Sequence, residues 1–65
     1  MIIYVVVQPA MDYEESDQVV GAHLDHAIAV DQAESALAAL IGRFSPYMEL
    51  QHWDGINIIE TETFR

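Results

Sequence analysis

The chain has 65 residues with no cysteine and no lysine, and eleven Asp and Glu residues against two Arg residues give a formal net charge of −9 at pH 7. This length predicts one domain, 1–65, that buries only roughly 60% of the surface of its unfolded form, while a hydrophobic fraction of 52% excludes a disordered acidic tail. The charge argues against direct binding of nucleic acid or of an anionic membrane, and the lack of cysteine excludes disulfides and thiolate metal sites.

The first predicted element is a strand at Ile2–Gln8, a run rich in β-branched residues that is closed by Pro9. Such a run is typical of a strand that is buried on both faces and central in its sheet. It is too short to span a membrane, and it lacks the basic flank and cleavage site of a signal peptide. Together with the absence of cysteine, this predicts a cytoplasmic protein.

An acidic segment follows the first strand. Residues 9–17 are predicted to form a loop because polar residues crowd around a proline. The charged and aromatic residues of this loop are Asp12, Tyr13, Glu14, Glu15 and Asp17. An acidic loop is more often solvated than functional, but an aromatic residue beside charge is a common interface anchor, which makes Tyr13 a candidate contact.

The segment 18–30 fits two structures. Leu24 and Ile28 share one face of a helix, whereas Ile28 and Val30 alternate as residues of a strand do. Gly21 costs about 1 kcal/mol relative to alanine inside a helix, and in a strand it often marks a bulge. We predict a strand here, with a helix as the alternative.

A helix is predicted at Gln32–Ile41. Asp31 followed by Glu34 resembles a capping box, and Gly42 and Pro46 are typical of the segment that follows a helix end. The predicted apolar stripe of this helix consists of Ala33, Leu37, Leu40, Ile41 and Phe44.

Two strands, Met48–Trp53 and Ile56–Phe64, are predicted on either side of Asp54-Gly55, which is a strong signal for a two-residue hairpin turn. The order strand, strand, helix, strand, strand predicts an α+β fold. We expect a small antiparallel sheet of three to four strands with one helix packed on one face.

The predicted turn also sets the pairing of the two hairpin strands. Glu49 would lie opposite Glu60, with Glu62 further along the same face, and like charges in this position are destabilising. Trp53 would face Ile56 and close the core, or else contact a partner. Because folding does not require the row of carboxylates, we interpret it as a second acidic surface for a partner.

Catalytic and metal-binding patterns are weak in this sequence. His23, Asp25, His26 and His52 have zinc-binding chemistry, but alternation along a strand places His23 and His26 on opposite faces. No nucleophile motif or glycine-rich phosphate loop is present. We therefore predict no metal site, no cofactor and no enzymatic activity.

The layout resembles that of small phage-encoded anti-CRISPR proteins that act on type I systems, with type I-C the nearest. The resemblance rests on the opening run Ile2–Val7, the acidic loop Asp12–Asp17, a single helix and a closing hairpin. Several members of that group are acidic mimics of DNA that occupy the basic groove of the surveillance complex. The resemblance implies an inhibitor that binds a host DNA-binding protein in the bacterial cytoplasm without chemistry.

The predicted partner is thus a basic DNA-binding protein or complex. The predicted contact residues are Asp12, Tyr13, Glu14, Glu15, Asp17, Glu49, Glu60 and Glu62. The alternative is a small adaptor or regulatory protein that binds through an apolar sheet edge or helix face, with acidity serving solubility. A monomer or a weak homodimer is expected, because an open sheet edge favours self-pairing while the net charge opposes it.

Overall fold

A computed structural model of the chain describes residues 1–10, 13–43 and 45–65. In this part of the chain the elements are β1 (Ile2–Gln8), β2 (Gln18–His23), α1 (His26–Ala38), β3 (Met48–Asp54) and β4 (Asn57–Phe64). The strands form one antiparallel sheet in the order β2-β1-β3-β4, and α1 packs across one face of it. The predicted α+β fold, with a four-stranded sheet and a helix on one face, is confirmed. No helix among the described residues is long and apolar enough to span a membrane.

The two faces of the central strand β1 differ in burial. Val6 faces α1 and is fully buried. On the other face Val7 is 6% exposed but Ile3 is 41% exposed. The central position of β1 is confirmed, whereas its burial on both faces is wrong, because no described helix or strand covers the second face. We call this second face of the sheet the open face.

The helix begins earlier than predicted, at His26, and the segment 18–30 is divided between β2 and α1. The N-cap is Asp25, whose Oδ1 accepts hydrogen bonds from the backbone N–H groups of Ala27 at 2.8 Å and Ile28 at 3.3 Å. The predicted strand is therefore correct only as far as His23. The predicted start of the helix after Asp31 is wrong. A capping aspartate outweighs the short apolar alternation on which the strand prediction relied.

Small residues on α1 form its contact with the sheet. Ala29 and Ala33 are fully buried, which lets the helix backbone approach the strands closely. Leu37 and Leu40 continue the packed stripe as predicted. Ile41 is 86% exposed, so its assignment to the stripe is wrong, whereas Leu40, which also follows the end of α1, is buried. Phe44 lies outside the described residues.

An irregularity in β2 lies where Gly21 predicted one. The pairing of β1 with β2 shifts between Val6 and Val7, which leaves Val20 as the extra residue of a bulge. Gly21 itself lies beneath α1, where an added Cβ would overlap the side-chain amide of Gln32. The absence of a side chain at Gly21 therefore allows Gln32 to lie against the sheet.

The hairpin turn is shifted by one residue from its predicted position. Asp54 pairs with Asn57, so the two turn residues are Gly55 and Ile56. Gly55 has a φ of +63° and Ile56 does not have a positive φ, which is the pattern of a type II′ turn with glycine at its first central position. Trp53 consequently pairs with Ile58 and not with Ile56, which is 90% exposed.

A second bulge moves the rest of β4 further along β3, because Ile59 is left without a direct partner between the pairs of Trp53 and His52. Glu60 then lies opposite His52, and Glu49 lies opposite Thr63. The predicted pairing of Glu49 with Glu60 is wrong. The observed register places Phe64 opposite Met48, where its ring packs against the core.

The hydrophobic core lies between α1 and the two central strands. Its buried members are Val6, Ala29, Ala33, Leu40, Met48 and Leu50. Both β1 and β3 contribute every second residue to this side, as strand alternation requires. The same alternation brings polar residues of β3 and β4 beside the first turn of α1.

Candidate functional site

Two imidazoles and one carboxylate meet at the start of α1, in a group that we call the His–Glu cluster: His26, His52 and Glu62. The Nε2 atom of His26 lies 2.7 Å from Oε2 of Glu62, and the Nε2 atom of His52 lies 2.6 Å from the same oxygen. The three nearest ligand atoms all lie within 4.8 Å of one another. A single carboxylate oxygen is thus shared by two imidazoles that come from different elements.

The fold positions each member of the His–Glu cluster separately. Asp25 starts the helix so that His26 is its first residue. His52 comes from β3. Glu62 comes from the edge strand β4, and the bulge in that strand brings Glu62 to the same side of the sheet as His52. The ring of Tyr4, on β1, packs edge-on against both imidazoles, with centroid distances of 5.1 Å to His26 and 4.9 Å to His52. Tyr4 therefore restricts how far either ring can turn.

The electrostatics of the cluster favour an ionised carboxylate. The hydrogen bond from His26, followed by that from His52, holds the pKa of Glu62 below its usual range. Nδ1 of His52 lies 3.3 Å from Oε2 of Glu60, so both nitrogens of this ring contact carboxylates. The side chain of His52 is only 13% exposed, whereas that of Glu60 is 64% exposed.

The other residues considered for zinc have separate roles. Nε2 of His23 lies 2.6 Å from Oε1 of Gln32, and the Gln32 amide nitrogen donates to the carbonyl oxygen of Val20 at 3.3 Å. Asp25 caps α1. His26 and His52 were among the candidate zinc ligands named from the sequence, but Glu62 was not. A correct prediction of the helix start would have removed the objection to His26, which assumed the alternation of a strand.

The residues of the acidic loop are in different environments. Tyr13 is 96% exposed and Glu14 is exposed, but Glu15 forms an ion pair with Arg43. Oδ1 of Asp17 accepts a hydrogen bond from the backbone N–H of Ala10 at 2.8 Å, which closes the loop on itself. Asp12 lies outside the described residues.

The second predicted acidic set is split by the sheet. Glu49 points to the open face, whereas Glu60 and Glu62 are on the side covered by α1. The expected row of these three carboxylates on one surface is therefore wrong. Two exposed carboxylates that the sequence reasoning did not select, Asp31 and Glu34, lie on the outer side of α1.

The open face of the sheet is largely apolar. Ile3, Trp53 and Ile58 form one row across β1, β3 and β4, and Ile3 and Ile58 are 41% and 47% exposed. Val19 on β2 is 69% exposed. The indole N–H of Trp53 donates to Oε1 of Gln51 at 3.0 Å. Trp53 is half-buried on this face and does not belong to the core under α1.

Comparison of the chain with protein-family models, with curated protein sequences and with solved structures finds no match.

Proposed function

We propose that this protein is a non-catalytic inhibitor that binds the basic, DNA-recognising surface of a host protein and blocks target DNA recognition. The observation that carries this proposal is the one-sided charge of the surface. Arg43 forms an ion pair with Glu15, and Arg65 lies over the ring of Tyr47 at 5.5 Å. These are the only two basic Lys or Arg residues of a chain whose net charge is −9.

Such a surface suits a partner that has evolved to bind phosphates. Lysine and arginine side chains in a DNA-binding groove neutralise a dense row of negative charges, and this term makes a large contribution to affinity. Carboxylates placed in that groove would take the positions of the phosphates and prevent the duplex from binding. The resemblance to anti-CRISPR proteins implies a subunit of a type I surveillance complex as the partner.

We select the residues proposed to make this contact by their exposure. Tyr13 and Glu14 are the leading candidates because both are exposed in the acidic loop. Asp17 is exposed in the same loop, and Glu60 is exposed on β4, the strand at the other edge of the sheet. Among the other predicted residues, Glu15 is less exposed, at 27% of its side chain, Glu49 lies on the open face, and Glu62 belongs to the His–Glu cluster.

The experiment is equilibrium binding of a labelled target duplex to a purified type I-C surveillance complex, with and without this protein, over a series of salt concentrations. We expect the protein to reduce duplex binding at low salt and to lose this effect steeply as salt rises, because charge pairs dominate the contact. Glu14→Lys should abolish inhibition. Asp31→Lys, which makes the same change of charge on the outer side of α1, should retain it.

Two results would contradict the proposal. One is a folded protein that leaves duplex binding unchanged at low salt. The other is an equal loss of inhibition in Glu14→Lys and Asp31→Lys, which would show that the acidic loop is not the contact surface.

The open face supports a second candidate function, an adaptor that binds a protein partner through apolar contacts. Exposed Ile3 and Ile58 on either side of Trp53 are the observation that favours it, since clustered exposed apolar residues mark interaction sites. Val19 is exposed further along the same face. A partner held in this way should resist both salt and competing duplex DNA, and Ile58→Thr should release it. A salt-sensitive partner unaffected by Ile58→Thr would exclude this candidate.

A further inference from the structure

We propose that His26, His52 and Glu62 form a binding site for a divalent transition-metal cation of the zinc type, independently of the proposed inhibitory surface. Two imidazole nitrogens and one carboxylate oxygen from α1, β3 and β4 converge within 4.8 Å of one another. A set of two histidines and one carboxylate is a known donor set for zinc and for non-haem iron.

The two hydrogen bonds of the cluster identify the atoms that would bind the ion. Both Nε2 atoms lie within 2.7 Å of the same Glu62 oxygen, so each N–H hydrogen is directed at that oxygen. A metal ion would take the place of these hydrogens: each imidazole would carry its proton on Nδ1, which leaves the Nε2 lone pair to bind the metal together with the carboxylate.

Binding requires an adjustment of all three distances between the ligand atoms. Zinc binds histidine nitrogen at about 2.0–2.1 Å and carboxylate oxygen at about 2.0–2.2 Å, so ligand atoms around a tetrahedral ion lie about 3.3 Å apart. Each nitrogen would separate from the oxygen by well under about 1 Å relative to the present contacts of 2.6 and 2.7 Å, and the two nitrogens, which lie within 4.8 Å of each other, would also come to about 3.3 Å. The side chains of His26 and Glu62 are 46% and 33% exposed, so they can make this adjustment without disturbing the core.

The residues around the cluster match the usual environment of a metal-binding histidine. When one ring nitrogen binds metal, the other usually donates a hydrogen bond to a carboxylate or carbonyl, which fixes the ring. Nδ1 of His52 has this partner in Glu60, at 3.3 Å. Tyr4 contacts both imidazole rings, and the net charge of −9 raises the local concentration of cations.

Three protein ligands at a partly exposed position leave at least one coordination position for water or for an external ligand. Imidazole ligands favour zinc and its neighbours over magnesium or calcium, which prefer oxygen. The site should therefore discriminate between these two groups of cations.

The test is isothermal titration of the chelator-treated 65-residue chain with ZnCl2. We expect one equivalent of zinc to bind and MgCl2 to give no competing heat. His26→Ala and Glu62→Gln should each weaken zinc binding by more than tenfold. Glu60→Gln should weaken it by about 10- to 100-fold, the usual effect of losing the carboxylate behind a histidine ligand.

The matched control is His23→Ala, which removes an imidazole that contacts Gln32 and not the cluster, and it should leave zinc binding unchanged. Circular dichroism establishes that each variant is folded. Imidazole nitrogen NMR of the wild-type protein provides a measurement that needs no variant, because zinc should shift Nε2 of His26 and His52 but not that of His23.

The proposal is overturned if the wild-type protein binds no zinc, if His23→Ala weakens binding as much as His26→Ala does, or if the Nε2 shifts of His26 and His52 do not change. None of these outcomes affects the inhibition measurement, since Tyr13 and Glu14 are outside the cluster.

Discussion

At the scale of single residues, Gly21 and Gln32 show how one missing side chain organises polar contacts. Gln32 lies over Gly21 and contacts both Nε2 of His23 and the carbonyl oxygen of Val20, the extra residue of the bulge. Gly21 has no positive φ, so its backbone is compatible with alanine. Only the space above it excludes a methyl group.

We predict that Gly21→Ala destabilises the protein by about 1 kcal/mol, because Gln32 must turn away and lose a hydrogen bond of about that net value. In a Gln32→Ala background the same substitution should be neutral or stabilising, since alanine then only restricts the unfolded chain. A double-mutant cycle of urea unfolding measures the difference. An equal loss of stability in both backgrounds would show that the contact with Gln32 is not the cause.

At the scale of secondary structure, the start of α1 determines both packing and the site. Capping at Asp25 moves the helix start from Gln32 to His26, about 1.7 turns earlier, and places Ala29 against the sheet. It also turns His26 from a presumed strand residue into the first residue of a helix. The His–Glu cluster therefore depends on a capping interaction made by Asp25, which is not one of its three members.

We expect Asp25→Ala to lower the free energy of unfolding by about 1 kcal/mol, because two N–H groups at the helix start lose their acceptor. Asp31→Ala is the matched control: Asp31 is exposed inside α1 and not its cap, so its change should stay within about 0.5 kcal/mol. Urea unfolding of both variants distinguishes the two helix starts. A larger loss of unfolding free energy for Asp31→Ala than for Asp25→Ala would indicate that the helix begins after Asp31, as predicted from the sequence.

At the scale of the whole molecule, a thin two-layer fold carries a large excess of negative charge. The core consists of a few residues between α1 and the sheet, and the open face of the sheet contributes little burial at Ile3 and Ile58. Repulsion among the carboxylates opposes folding throughout. Stability should therefore depend on ionic strength more than in a protein of balanced charge.

We predict that raising NaCl from about 0.01 M to about 0.15 M, which shortens the screening length from about 30 Å to about 8 Å, stabilises the protein by about 1 kcal/mol. For a domain of this size that corresponds to roughly 4–8 °C in the thermal midpoint. The double variant Asp31→Lys, Glu34→Lys changes the formal charge from −9 to −5, since each replacement adds two charges, and should respond less. A midpoint that falls with salt would contradict this account.

The comparison of sequence and structure separates local from non-local information. The strand Ile2–Gln8 and the hairpin were predictable because composition and turn chemistry act over a few residues. The helix start was missed because Asp25 and Asp31 both have N-cap chemistry, and only packing of Ala29 on the sheet selects the first. The hairpin register was missed because the turn lies one residue later than predicted and because a bulge at Ile59 is not visible in the alternation of β4.

The sequence by itself determined the charge, the lack of thiol chemistry and the α+β class, since these follow from composition and from short-range patterns. Only the tertiary structure decided that Glu49 and Glu60 lie on different faces of the sheet, and that His26, His52 and Glu62 meet. The physical reason is that these relations depend on strand register and on where the helix crosses the sheet. Core packing sets both of them, and it acts between residues that are distant in sequence.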